Sequence, residues 1–139
     1  MRFGFGLASL ACVWASPAAA EIEVDLDRSV YVERMAEGVR ALEPATTLRP
    51  GDKVVLVVQW RSESRDGRFT VQSAVPRTLA FQRAGHDAVE VSTDGGRSWG
   101  ELGTLRMGSR LASAEDVTHL RMVVVGAPVG RLTYSAIVR

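Results

Sequence analysis

The chain has 139 residues, 46% hydrophobic and 24% charged, with 17 Lys+Arg against 16 Asp+Glu. That size suits one ordinary domain with a core of its own. A net charge of +1 presents no basic face, which argues against nucleic acid as a partner. The chain lacks Asn, so N-glycosylation and any Lys–Asn crosslink are excluded.

The first twenty residues have the layout of a secretory signal peptide. Met1-Arg2 is a basic start, Phe3 to Ala15 is apolar, and Ser16-Pro17-Ala18-Ala19-Ala20 supplies small residues at a cleavage site. Cleavage after Ala20 leaves 119 residues, 21–139, as one domain. Arg2 leaves with the leader, so 16 basic residues face 16 acidic ones. Cys12, the only cysteine, leaves too. The exported domain must then fold without a disulfide, although small exported domains usually rely on them. The apolar run falls short of the roughly 20 residues that span a bilayer. No second candidate follows, so no membrane span is expected after signal cleavage. A lipoprotein site at Cys12 fits poorly, because Leu10 is misplaced and apolar sequence continues past the cysteine. The expected location is the periplasm or the outside of the cell.

Beyond the leader, Ile22 to Leu26 alternates with acids and reads as a first edge strand, and Tyr31 to Met35 as a second short one. Ala36 to Glu43 reads as a helical turn weakened by Gly38 and Pro44. Leu48-Arg49-Pro50-Gly51-Asp52 is a turn: Pro presets φ and Gly supplies the positive-φ position. Lys53 to Arg61 is the strongest strand. Val54, Val55, Leu56, Val57 and Val58 are consecutive apolar residues, which suits a central strand covered on both faces. Trp60 shares the face of Val54, Leu56 and Val58. Phe69 to Val75 alternates and Pro76 ends that strand.

Leu79-Ala80-Phe81 is a short apolar piece. Val89, Val91 and Thr93 form one face of the next strand, closed by a turn at Asp94-Gly95-Gly96. Met107 to Glu115 is a long connection, and Val117 to Val125 another strand. Leu132, Tyr134, Ala136 and Val138 line one face of the last. About seven or eight short strands with Gly/Pro turns between them indicate an all-β antiparallel sandwich. Its expected core includes Val54, Leu56, Val58, Trp60, Val71, Val91, Leu120, Met122, Tyr134 and Ala136.

Residues 92–99 carry the pattern Ser-x-Asp-x-Gly-x-x-Trp in Ser92, Asp94, Gly96 and Trp99, with Gly95 in the turn. This resembles the Asp-box of bacterial sialidases, where the Asp accepts backbone hydrogen bonds inside a turn and the Trp packs beneath. The expected role of Ser92, Asp94, Gly95, Gly96 and Trp99 is structural, and a single copy does not build a propeller. The alternative is sugar contact centred on Trp99.

His86 and His119 are the only histidines, without H-x-H or H-x-x-x-H spacing. A metal site would need carboxylates or Met35, Met107 and Met122 to complete it, so no metal or cofactor is expected. No G-x-S-x-G elbow or phosphate loop is present, and no catalysis is expected. A small secreted enzyme remains the third reading. Asp25 and Asp27, extended by Glu21 and Glu23, read as a solvated acidic edge rather than a calcium site. Arg106, Arg110 and Arg121 are expected to pair with Glu115 and Asp116.

Several segments together resemble a bacterial Ig-like family catalogued as domain of unknown function number eleven. They are Leu48-Arg49-Pro50-Gly51-Asp52 with Lys53-Val54-Val55, Val75-Pro76 with Leu79 and Phe81, Val91 to Gly96, and Asp116-Val117-Thr118-His119-Leu120-Arg121. The resemblance runs from Tyr31 to Arg139. It implies an Ig-like sandwich in the cell envelope and carries over no catalytic residues. The expected function is that of an exported structural or protein-interaction module with an unknown protein partner in the envelope.

Overall fold

A computed structural model describes residues 23–139. The expected leader, with Cys12 and the expected cleavage site, lies outside the described residues, as do Glu21 and Ile22. In chain order the strands are β1 (Val24–Ala36), β2 (Val39–Pro44), β3 (Lys53–Ser62), β4 (Arg68–Ala74), β5 (Leu79–Ala84), β6 (Glu90–Ser92), β7 (Arg106–Met107), β8 (Arg110–Leu111), β9 (His119–Val125) and β10 (Val129–Val138). Two short 3-10 turns, Leu102–Thr104 and Ala114–Asp116, lie in the connections.

The fold is an Ig-like antiparallel β-sandwich. A five-stranded sheet, β2-β1-β3-β10-β5, packs on a three-stranded one, β4-β9-β6. β7 and β8 form a small separate ribbon.

β3 sits at the centre of the large sheet. It alternates between buried and more exposed residues, as one buried face requires. Val54, Leu56, Val58 and Trp60 point inward. Opposite them on β10 stand Ala136, Tyr134, Leu132 and Gly130. Val71, Leu120, Met122 and Val91 close the core from the small sheet. All ten expected core residues are buried. Trp60 donates its indole N–H to the Ala127 carbonyl at 3.0 Å and meets Phe69 edge-on at 6.3 Å. Its ring lies over Gly130, the one residue type that leaves it room there.

Several strand boundaries differ from the sequence reading. The two expected N-terminal strands are one strand of 13 residues, because both halves keep pairing without a break. Ala36 to Glu43 is not a helical turn but a β-hairpin. Glu37 (φ 52°) and Gly38 (φ 78°) adopt left-handed backbone in a two-residue turn, and Ala36 pairs with Val39. Two positive φ values in succession match the twist of a hairpin, so β-pairing wins over helix propensity. β3 is covered on one face only. Val55 and Val57 on its outer face are half-buried, and among the described residues no strand packs over them. The connection expected over Met107 to Glu115 is not plain coil: Arg106 to Asp116 holds the β7–β8 ribbon and the Ala114–Asp116 turn.

The turn at Arg49–Asp52 closes as its sequence implies. Asp52 N–H donates to Arg49 O at 3.0 Å, and Gly51 takes φ 89°. The Arg49 N–H donates back to Asp52 Oδ2 at 2.9 Å.

Gly130→Ala should destabilise the domain, because a Cβ there runs into the Trp60 ring. An overpacked core residue costs about 1–3 kcal/mol. Urea unfolding should show a lower midpoint at unchanged slope. An unchanged midpoint would mean that Trp60 is not seated over Gly130.

Candidate functional site

The Ser92 to Trp99 segment folds as a closed turn on the outer face of the small sheet. Its base is the pair Val91–Gly100, bonded in both directions at 2.9 and 3.1 Å. Ser92 follows Val91 and so faces outward by strand alternation, yet it is fully buried because the turn folds over it. Its hydroxyl donates to Asp94 Oδ1 at 2.8 Å and accepts the Gly96 N–H at 2.8 Å. Asp94 Oδ1 accepts the N–H groups of Arg97 at 3.0 Å and Ser98 at 2.9 Å. The Ser98 hydroxyl donates to Asp94 Oδ2. Gly95 and Gly96 both have positive φ, 78° and 90°, which few other residues adopt.

These bonds hold the Asp94 carboxyl well below the usual carboxylate range. The Ser98 hydroxyl contributes most, followed by the Ser98 N–H and the Ser92 hydroxyl, against some desolvation. Trp99 is half-buried. Its indole N–H donates to the Gly96 carbonyl at 3.0 Å, and the Arg121 guanidinium lies 4.6 Å over its ring. Arg121 is held there by Glu90 at 3.2 Å. One ring face is therefore taken by a cation, and the polar edge by the turn itself.

Three residues join the turn that the sequence reading did not assign to it. Ser98 supplies the hydroxyl against Asp94. Arg121 stacks on Trp99 rather than meeting Glu115 or Asp116. Thr118 ties the turn to β9: its hydroxyl accepts the Gly95 N–H at 3.0 Å and lies 3.2 Å from Ser92 O. Only the sheet register, which pairs Ser92 with His119, brings Thr118 and Arg121 to this place.

The other candidates are dispersed. His119 Nδ1 lies 3.0 Å from the Thr118 hydroxyl, and His86 Nδ1 accepts the Ala88 N–H at 3.1 Å. Among the described residues no three His, Cys, Asp or Glu side chains gather as a metal-binding group. Asp25 and Asp27 share the outer face of β1, opposite Arg61 and Gln59. Of the expected ion pairs, Arg110 grips Asp116 with two bonds, at 2.7 and 3.0 Å. Arg106 instead bonds the Ser109 carbonyl at 3.1 Å. The Arg110 bonds, then the Ser113 N–H, hold the Asp116 carboxyl far below its ordinary value. Burial pushes the Tyr134 hydroxyl up to about 12, with Ser73 and the Arg28 charge acting the other way.

An open depression of about 460 Å³ lies beside the turn, lined in part by Pro76, Arg77, Leu79, Gly95, His119 and Arg139. The Arg139 guanidinium is bonded to the carbonyls of Leu79 at 3.2 Å and Glu115 at 3.0 Å. The arrangement braces the end of the sandwich.

Ser92→Ala removes a fully buried hydroxyl that accepts the half-buried Gly96 N–H and donates to Asp94, a loss of about 1 kcal/mol or more. Chemical unfolding should show that loss, and a variant as stable as the parent would remove Ser92 from the turn's framework. Asp94 also makes a pH prediction. Its folded pKa is depressed, so the unfolded chain binds more protons as the pH falls through the ordinary value near 3.8. The stability it contributes is complete above about pH 5 and declines below about pH 4. Asp94→Asn should flatten this acid limb in unfolding curves between pH 3 and 6. A limb equally steep in the variant would assign the acid sensitivity elsewhere.

Compared with known proteins, the chain matches no protein-family model, no curated protein and no solved structure.

Proposed function

We propose that the chain is an exported Ig-like module with a structural or protein-interaction role in the cell envelope, acting on a protein partner without catalysis or cofactor. The observation that carries this reading is the mismatch of the two sheets, five strands against three. The larger sheet presents surface that its own fold does not cover. Glu33 to Ala36 of β1 pair with β2 alone, as an arm beyond the start of β3. On that arm Met35 and Val39 are 66% exposed and Leu42 is 54% exposed. Apolar side chains concentrated on one projecting element suit a contact surface.

Other features support the same reading. The first twenty residues have the composition of an export signal. Several segments resemble an Ig-like family that is common in secreted and cell-surface proteins. Both histidines use Nδ1 in contacts with chain neighbours, the Ala88 N–H and the Thr118 hydroxyl, and among the described residues neither forms an ion pair with a carboxylate. A sugar platform needs an open aromatic face, and Arg121 takes one face of Trp99.

The test is crosslinking in the producing cells, followed by mass spectrometry of the purified adducts. The expected result is a chain lacking residues 1–20, in the envelope fraction, joined repeatedly to the same protein. A chain that keeps its leader in the cytosol, or adducts no different from those of an unrelated exported protein, would overturn the proposal.

A further inference from the structure

Sheet edges invite pairing with other chains, and folded proteins blunt them. In this fold most edges carry such a device. β2 bears Arg40 and Glu43 and ends at Pro44, which has no N–H. The lower edge of β1 is flanked by Asp25, Asp27 and Arg28. β5 packs against the Ala114–Asp116 turn. β6 has three residues, and Val91 within it is bonded to Gly100. β4 is different: from Phe69 to Ala74 it contains no charge, no Gly and no Pro.

Bonds at both ends of β4 establish which of its backbone groups face outward. Val75 N–H donates to Thr118 O at 2.8 Å, and Gly67 O accepts the Gly126 N–H at 3.1 Å. By the alternation of an antiparallel ladder, Phe69, Val71 and Ser73 therefore bond β9. Arg68, Thr70, Gln72 and Ala74 point their N–H and C=O groups away from the sheet. Among the described residues these groups have no hydrogen-bond partner.

Beside this edge the large sheet continues. The Trp60–Phe69 contact places β4 across from β3, and β1 lies one strand further out. Leu26 and Arg28 of β1 stand opposite Trp60 and Val58, on the inner face. Such residues are normally covered in a sandwich. Here Leu26 is 38% exposed and Arg28 is exposed, because the small sheet stops at β4. The result is a slot with an unpaired backbone edge as its wall and Leu26 and Arg28 on its floor.

We infer that this slot accepts an extended segment of a partner protein, which adds to β4 as a fourth strand of the small sheet. Its alternate side chains facing Leu26 are apolar, and one acidic side chain meets Arg28. The occupant is a lone strand rather than the edge of a second folded copy, because the overhanging β1 of each copy would fill the other's space. The acidic preference follows from charge: Arg28 forms no ion pair among the described residues, and Arg68 stands at the end of the edge. Backbone bonds along β4 supply affinity and the slot floor supplies selectivity. This inference rests on the protein-interaction reading above.

The probes are two short labelled peptides of alternating Thr and Val, with one central Val replaced by Glu or by Lys. Binding to the purified protein is followed by fluorescence anisotropy, with amide exchange read at residues 68–74. The Glu peptide should bind about tenfold or more tightly than the Lys peptide, a difference of about 1.4 kcal/mol. It should also protect the amides of Thr70 and Gln72. Arg28→Glu should reverse the preference. Thr70→Pro removes an outward N–H without touching the β9 ladder, and should weaken binding at least about tenfold, a loss of about 1.4 kcal/mol or more. Equal binding by Thr70→Pro, or no binding of either peptide at millimolar concentration, would overturn the inference. An envelope protein that crosslinks equally to the parent and to Thr70→Pro would leave the interaction role standing and remove this site.

Discussion

The inner row of β3 is the constraint on which the other elements depend. Val54, Leu56, Val58 and Trp60 are buried on one face, and side chains on a strand alternate strictly. A slip of one residue against either neighbour would turn the whole row toward water. Burying a single large apolar side chain stabilises by about 1.5–3 kcal/mol, so such a slip is strongly disfavoured. β1 and β10 are thereby held in register along nearly the full length of β3. Trp60 secures the far end of the row through the Ala127 carbonyl and the Phe69 ring.

That register decides where the surface features fall. With β1 aligned on β3, Glu33 to Ala36 at the end of β1 run past the start of β3 and pair with β2 alone, as an arm. The first half of β1 places Leu26 and Arg28 on an inner face that the small sheet does not reach. The slot and the arm are both consequences of joining unequal sheets through one central strand. The turn over Ser92 works in the other direction. It seals the short β6 edge with hydrogen bonds to a carboxylate, and Arg121 braces it from β9. One side of the small sheet is closed by its own loop, and the other is left open.

Periodicity made much of this fold legible. The β3 row, the alternation of β10 and the Pro50-Gly51 turn are local patterns with local causes, and they are where the sequence places them. The hairpin at Glu37-Gly38 was harder to see, because Glu rarely occupies a left-handed position and the usual Asn-Gly or Asp-Gly signal is missing. The run from Val54 to Val58 suggested cover on both faces. Hydrophobicity alone does not reveal that a sandwich supplies only one cover and leaves Val55 and Val57 half-buried. In the turn, Ser92, Asp94 and Trp99 are recognisable by spacing. Thr118 and Arg121 are not, since they reach it only through strand pairing.

By itself, the sequence determined the all-β class, the alternating core and the local chemistry of its turns, because each rests on residues within a few positions of one another. The tertiary structure decided which edges are closed and which is open. That depends on how many strands each sheet recruits and how the sheets overlap. No local pattern contains either quantity, since both arise from pairings between residues far apart in the chain.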